Sequence, residues 1–223
     1  MISDQRQNKD VIILLHAAVV NHLSLKLFGR RLTDLGFRVV IPPYPNRRLP
    51  ITDCADWLLP LWRSVSDSAE AAVHLAGHSM GGLVARRLIH LYQPPNLGRL
   101  VTMGTPHLGS PLANILRKYG FFHKLFGPAG ENMVTGQAID DLCPWPPPCE
   151  TGLIAGTIPI GPGTLIMPCD SDGTVTHISS QPAGASDYAR VPASHTTIPY
   201  IRRTALLTAN FLRTGRFYPD SVE

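Results

Sequence analysis

The sequence predicts an α/β fold with a mostly parallel central sheet and helices on both faces. Two observations predict it. Short apolar runs alternate with stretches of helical periodicity along the chain. The runs are apolar at successive positions, not at every second one, as strands buried on both faces require.

Taken in order, Val11–Leu15 is the first such run, ended by His16. A helix is predicted over 24–35, where Leu25, Phe28, Leu32 and Leu35 share one face and Ser24 can cap the N-terminus. Gly36 stops it, residues 37–41 form the second strand, and Pro42 and Pro43 end that strand. A helix over 52–69, kinked at Pro60, leads to a strand over 71–76, a helix over 83–92 and a strand over 99–103. From Pro111 to Glu150 the rhythm breaks, and Leu112, Ile115, Leu116, Tyr119, Phe121, Phe122, Leu125 and Phe126 make an apolar-rich excursion. It reads as an insertion (about 105–150) over the strand ends, either a lid or acyl-pocket wall, or a helix packed on the core. Strands are expected again at 153–157, 164–168 and 188–191, with a last helix over 196–212. Ligands of such a sheet bind at the carboxyl ends of its strands.

Composition narrows the function classes. With 223 residues the expectation is one domain, 1–223. The 19 glycines and 21 prolines are dispersed, which means many tight turns and no repeat. No apolar run is long enough to span a bilayer, and the polar start lacks a signal-peptide pattern, so a soluble, cytoplasmic protein is expected. The net charge of +4 is spread over scattered arginine pairs without a basic stripe, which argues against nucleic acid and leaves peripheral contact with anionic lipid open. The four cysteines contain no C-x-x-C pair, so a zinc knuckle is unsupported. Free thiols are the expectation, with a Cys143–Cys149 disulfide conceivable only in an oxidising compartment.

Gly77-His78-Ser79-Met80-Gly81 matches G-x-S-x-G. The pattern is weak alone, but here it follows a predicted strand and opens a predicted helix, the setting of a nucleophile elbow. Glycines leave room for a strained turn that holds the serine Oγ clear of the sheet. A serine hydroxyl needs a base, and the base needs an orienting carboxylate. In a strand–turn–helix site of this kind the partners follow in the order Ser, acid, His. That order reduces nine histidines to His177 and His195. His195 follows the last strand and precedes the last helix, where a loop reaches back over the strand ends, so it is the preferred base. For the acid, Asp172 is favoured over Asp170 because Gly173 gives it a tight turn; Asp140, Asp141 and Asp187 are weaker alternatives. The oxyanion needs backbone donors, expected at the N–H of Met80 and, from the loop after the first strand, of Ala18. His74 and His78 are four apart but straddle a strand and a turn, so neither metal nor cofactor is expected.

Gly77-His78-Ser79-Met80-Gly81-Gly82, Gly104-Thr105-Pro106-His107-Leu108-Gly109-Ser110, Asp172-Gly173-Thr174-Val175 and Ser194-His195-Thr196 together resemble bacterial lipases and esterases of the α/β-hydrolase superfamily. The group they look most like is the small lipase-like one related to the GPI inositol-deacylase type. The resemblance runs from about Val11 to Phe217. It implies Ser79 as nucleophile, Asp172 as acid, His195 as base, and Ala18 and Met80 as oxyanion donors. His107 is expected to be structural. The family usually has His-Gly where this chain has His16-Ala17. Alanine is strained wherever φ > 0 is required, so the loop keeps the family's shape only if that position is not left-handed.

The leading expectation is a serine hydrolase of small-molecule or lipid acyl esters. An acyltransferase, thioesterase or amidase would use the same acyl-enzyme, and product analysis with competing alcohols or amines separates them. A non-catalytic binding module is the reading of a different class, and an intact Ser, Asp, His order argues against it.

Overall fold

A computed structural model of the chain describes residues 10–68, 72–136, 139, 142, 144–165 and 170–218. Its centre is a six-stranded sheet formed by β1 (Val11–Leu15), β2 (Arg38–Val40), β3 (Val73–His78), β4 (Leu97–Met103), β5 (Thr151–Gly156) and β6 (Asp187–Val191). The order across the sheet is β2-β1-β3-β4-β5-β6, and every neighbouring pair is parallel.

Residues of β1, β3 and β5 are buried throughout, which is why these strands read as unbroken apolar runs. Their side chains alternate between two cores. Val11, Ile13 and Leu15 join α2 (Ile51–Asp67) and α3 (Met80–Tyr92) in one core. Ile12 and Leu14 join α1 (Lys26–Asp34) and the last helix, α7 (Arg202–Thr214), in the other. Trp62 of α2 is fully buried and donates its indole N–H to the carbonyl of Pro95, so the largest core side chain leaves no polar atom unpaired.

Several boundaries differ from the expected ones for local reasons. A 3-10 turn, His22–Leu25, precedes α1, and its cap is Asn21, whose side chain accepts from the N–H of Leu23; Ser24 lies inside the turn. Helix α3 starts at Met80 rather than at 83, because the elbow passes directly from strand to helix. The strand expected at 164–168 is absent where it is described: Thr164 and Leu165 form a turn, Leu165 is 98% exposed, and β5 pairs directly with β6. Residues 166–168 of that expectation, and residue 71 of the third strand, lie outside the described residues, as do Asp140, Asp141, Cys143 and Cys169. The last helix is split into a 3-10 segment, His195–Tyr200, and α7, with Pro199 inside the first piece.

The excursion between β4 and β5 folds into α4 (Pro111–Leu116), α5 (Phe122–Phe126) and a 3-10 segment, Pro128–Met133. Its side chains divide between the core and a cavity. Phe122 and Ala113 are buried in the α2/α3 core, while Leu116, Phe121, Leu125 and Phe126 line a cavity. Cys54 and Cys149 are free thiols. Among the described residues no helix is long and apolar enough to cross a membrane. A short helix, α6 (His177–Ser180), lies between β5 and β6 in sequence.

Candidate active site

Ser79 sits between the end of β3 and the first residue of α3, with φ 54° and ψ −124°, a backbone conformation that costs an L-residue free energy. Close packing holds it there. A β-carbon on Gly77 would lie 2.4 Å from the nitrogen of Gly82, and one on Gly81 would lie 2.2 Å from the carbonyl oxygen of Leu15. Both glycines of the motif are therefore required by sterics. The N–H of Ser79 donates to the carbonyl of Met103 (2.8 Å), and its own carbonyl accepts from the Thr105 hydroxyl (2.8 Å).

His195 reaches this turn from the end of β6. Its Nε2 lies 3.0 Å from Ser79 Oγ, and its Nδ1 lies 2.7 Å from Asp172 Oδ2. A carboxylate only accepts, so Nδ1 carries the proton and Nε2 presents its lone pair to the serine hydroxyl. The backbone makes the same connection, with the N–H of His195 donating to the carbonyl of Asp172 (2.8 Å). The other carboxylate oxygen of Asp172 accepts from the N–H groups of Thr174 (3.0 Å) and Val175 (2.7 Å). All three side chains are buried. This arrangement can transfer a proton from serine to imidazole and stabilise the imidazolium formed.

Among the described residues, the other candidate acids, Asp170 and Asp187, are engaged elsewhere. Asp170 is exposed and pairs with His177 Nδ1, while His177 Nε2 donates to the carbonyl of Gly156 (2.7 Å). Asp187 accepts from the N–H groups of Tyr188 (2.8 Å) and Phe217 (2.7 Å).

His78 was not singled out by its position in the motif, yet its Nε2–H donates to the carbonyl of His195 (2.9 Å), and the two rings are 5.1 Å apart. Burial, with His195 close by, pushes its pKa down to about 3. His107 has the structural role expected of it. It accepts at Nδ1 from Arg86 (3.2 Å) and donates from Nε2 to the Thr102 hydroxyl (2.8 Å). Its burial beside the guanidinium holds it neutral, well below the ordinary imidazole range. His74 likewise accepts at Nδ1 from the N–H of Arg99 (2.8 Å). Among the described residues no group of three or more His, Cys, Asp or Glu is placed to hold a metal ion.

Ser79 and His195 open into a cavity of about 410 Å³ whose walls are mostly apolar. Ala17, Ala18 and Val19 line one side, and Leu112, Leu116, Phe121, Leu125 and Phe126 of the excursion line another. Ala17 has no positive φ, so alanine in place of glycine is accommodated there. Met80 is the first residue of α3, where an N–H has no partner within the helix and the helix dipole favours negative charge.

Residues 51–133 match the family model described as a PGAP1-like alpha/beta domain. No curated protein matches the chain by sequence. Among solved structures, the mature form of the Bacillus licheniformis lipase BlEst2 superposes with a TM-score of 0.74 at 19% identity, over 92% of this chain and 91% of that one. The metagenomic carboxyl esterase MGS0156 gives a TM-score of 0.73 at 12% identity, over 92% of this chain and 75% of that one. The lin2722 product of Listeria innocua gives 0.63 at 17% identity, over 94% and 95%. The chain has the α/β-hydrolase fold of the BlEst2 lipase, with its six strands all parallel.

Proposed function

We propose that the chain is a serine hydrolase of carboxylic esters with apolar acyl groups. One observation carries the reading: Ser79, His195 and Asp172 form an unbroken buried hydrogen-bonded chain that ends in an apolar cavity. The lipase and the carboxyl esterase of the same fold support it by analogy.

In this reading Ser79 Oγ attacks the ester carbonyl as His195 Nε2 takes its proton. Asp172 keeps the ring in the required tautomer and stabilises the imidazolium. Negative charge on the carbonyl oxygen is met by the N–H groups of Met80 and Ala18. Collapse expels the alcohol, which takes the proton back from His195 and leaves Ser79 acylated. Water then attacks with His195 again as base, releasing the acid and restoring the serine hydroxyl. The acyl chain occupies the cavity, where burial of each methylene stabilises the complex by roughly 0.8 kcal/mol.

The test is hydrolysis of p-nitrophenyl esters from acetate to palmitate by the wild type and by Ser79→Ala. Hydrolysis that disappears in the variant is the expected result, and the chain-length optimum separates an esterase from a lipase. Hydrolysis surviving in a folded Ser79→Ala protein would remove Ser79 as nucleophile.

A further inference from the structure

The loop that follows β1 is held by a side chain from another strand end. Asn46, which follows β2 in the segment Pro42-Pro43-Tyr44-Pro45-Asn46, is buried. Its amide nitrogen lies 2.8 Å from the carbonyl oxygen of Ala17, 2.5 Å from that of Ala18 and 2.8 Å from that of Val20. Carbonyl oxygens only accept, so the end of the amide that faces the loop is its –NH2, and two N–H groups serve three acceptors. Beside it the Tyr44 hydroxyl donates to the carbonyl of His16, and the two rings stack at 4.3 Å. Four carbonyls of residues 16 to 20 are thereby tied to the segment after β2.

Peptide planarity gives this clamp a consequence. In a trans peptide the C=O of one residue and the N–H of the next point in opposite directions. Holding the Ala17 carbonyl on Asn46 therefore turns the Ala18 N–H away from Asn46, and Ala17 and Ala18 both line the cavity that holds Ser79. We propose that Asn46 is a positioning residue for the oxyanion site, aiming the Ala18 N–H by fixing the Ala17 carbonyl; this rests on reading Ser79 as the nucleophile and Ala18 as a donor. It also explains how the loop keeps one shape with alanine at 17. Without the amide, the buried Ala18 carbonyl would lose its donor and the Ala17 carbonyl would keep only His16 Nδ1 (3.1 Å), so the 17–18 peptide would be freer to rotate toward other donors.

Three proteins beside the wild type test this: Ser79→Ala, Asn46→Ala and Asn46→Ser, the last keeping a single donor. Each is assayed for kcat and KM on one p-nitrophenyl ester. Binding of an alkylboronic acid, whose tetrahedral adduct occupies the oxyanion site, is compared with binding of the alcohol of the same chain length. Displacing one donor costs about 100-fold in kcat, so Asn46→Ala is expected to lose that much with KM within about threefold. Its boronic acid affinity falls in parallel while its alcohol affinity holds. Asn46→Ser falls between, and it answers on the same terms if Asn46→Ala does not fold.

Unchanged kcat and boronic acid affinity, whatever the melting temperature, overturn the proposal. A raised KM at constant kcat also overturns it, because Asn46 would then act on ground-state binding. Absent hydrolysis by the wild type, or hydrolysis that survives in Ser79→Ala, refutes the nucleophile and the Asn46 role with it. That outcome is read before any Asn46 variant is compared.

Discussion

The β-carbon that Gly104 lacks would lie 2.9 Å from Oδ2 of Asp172, the oxygen that holds His195. It would also lie 3.1 Å from Nδ1 of His195, and the glycine has φ 56°. Gly104→Ala therefore combines backbone strain with pressure on the Asp172–His195 hydrogen bond. The variant is expected to lose about 1–3 kcal/mol of stability, and its kcat should fall at least about tenfold with little change in KM. Urea denaturation and steady-state kinetics check the two parts separately. A variant with wild-type kcat would show that the pair tolerates a methyl group there.

Asp172→Asn is expected to lower kcat by about four orders of magnitude at neutral pH. The N–H groups of Thr174 and Val175 that now bind Oδ1 will keep the amide oxygen on their side. The –NH2 then faces Nδ1 of His195, which must become an acceptor, leaving Nε2 protonated and unable to take the serine proton. The same substitution at Asp170, which is bonded to His177 instead, should leave kcat within about threefold. Equal losses in the two variants would contradict this assignment.

Stability should decline in mild acid. His78 and His107 stay neutral in the folded chain, with pKa values of about 3 for the first and well below the ordinary range for the second. In the unfolded chain both protonate near 6.5. Between that value and their folded values the unfolded state binds more protons, so stability falls as pH is lowered, by about 1 kcal/mol per pH unit for each histidine. Above pH ~6.5 neither contributes a slope. Urea midpoints from pH 8 to pH 4.5 measure it, and a flat profile from 6.5 to 4.5 would contradict the buried neutral state.

Leu116→Trp should shorten the acyl chains that are accepted. Leu116 lines the cavity from α4, while Phe122 holds the excursion to the core, so added bulk cannot readily be relieved by moving the segment. The expected result is a chain-length optimum several carbons shorter, with kcat/KM for the acetate ester within about threefold of wild type. An unchanged optimum would place the acyl chain elsewhere.

Much of this was legible because the sequence signals were local and redundant. Val11–Leu15 is bounded by Asp10 and His16, and the strand has those ends. Ser79 combined a motif with a position after a strand, His195 a chain order with such a position, and Asp172 a chain order with the tight turn at Gly173. At Thr164 and Leu165, the described part of the strand expected over 164–168, the chain makes a turn, because an apolar run marks a strand only if the sheet has a place for it, and β6 already pairs with β5. Ser24 looked like a cap because serine and asparagine cap equally well, and Asn21 is placed one turn earlier. Asn46 was invisible for a different reason. Its three partners are backbone carbonyls, and a carbonyl carries no mark of residue type.

Ser79, Asp172 and His195 come from the segments that follow β3, β5 and β6, whereas one wall of the cavity comes from the excursion between β4 and β5. In the proposed reading, reactivity and selectivity are thus written in separate stretches of the gene. A lineage, or an engineer, can exchange the stretch from α4 to the 3-10 segment and inherit a new taste in acids, leaving the proton relay untouched. The requirement that any such exchange must meet is an apolar anchor where Phe122 stands.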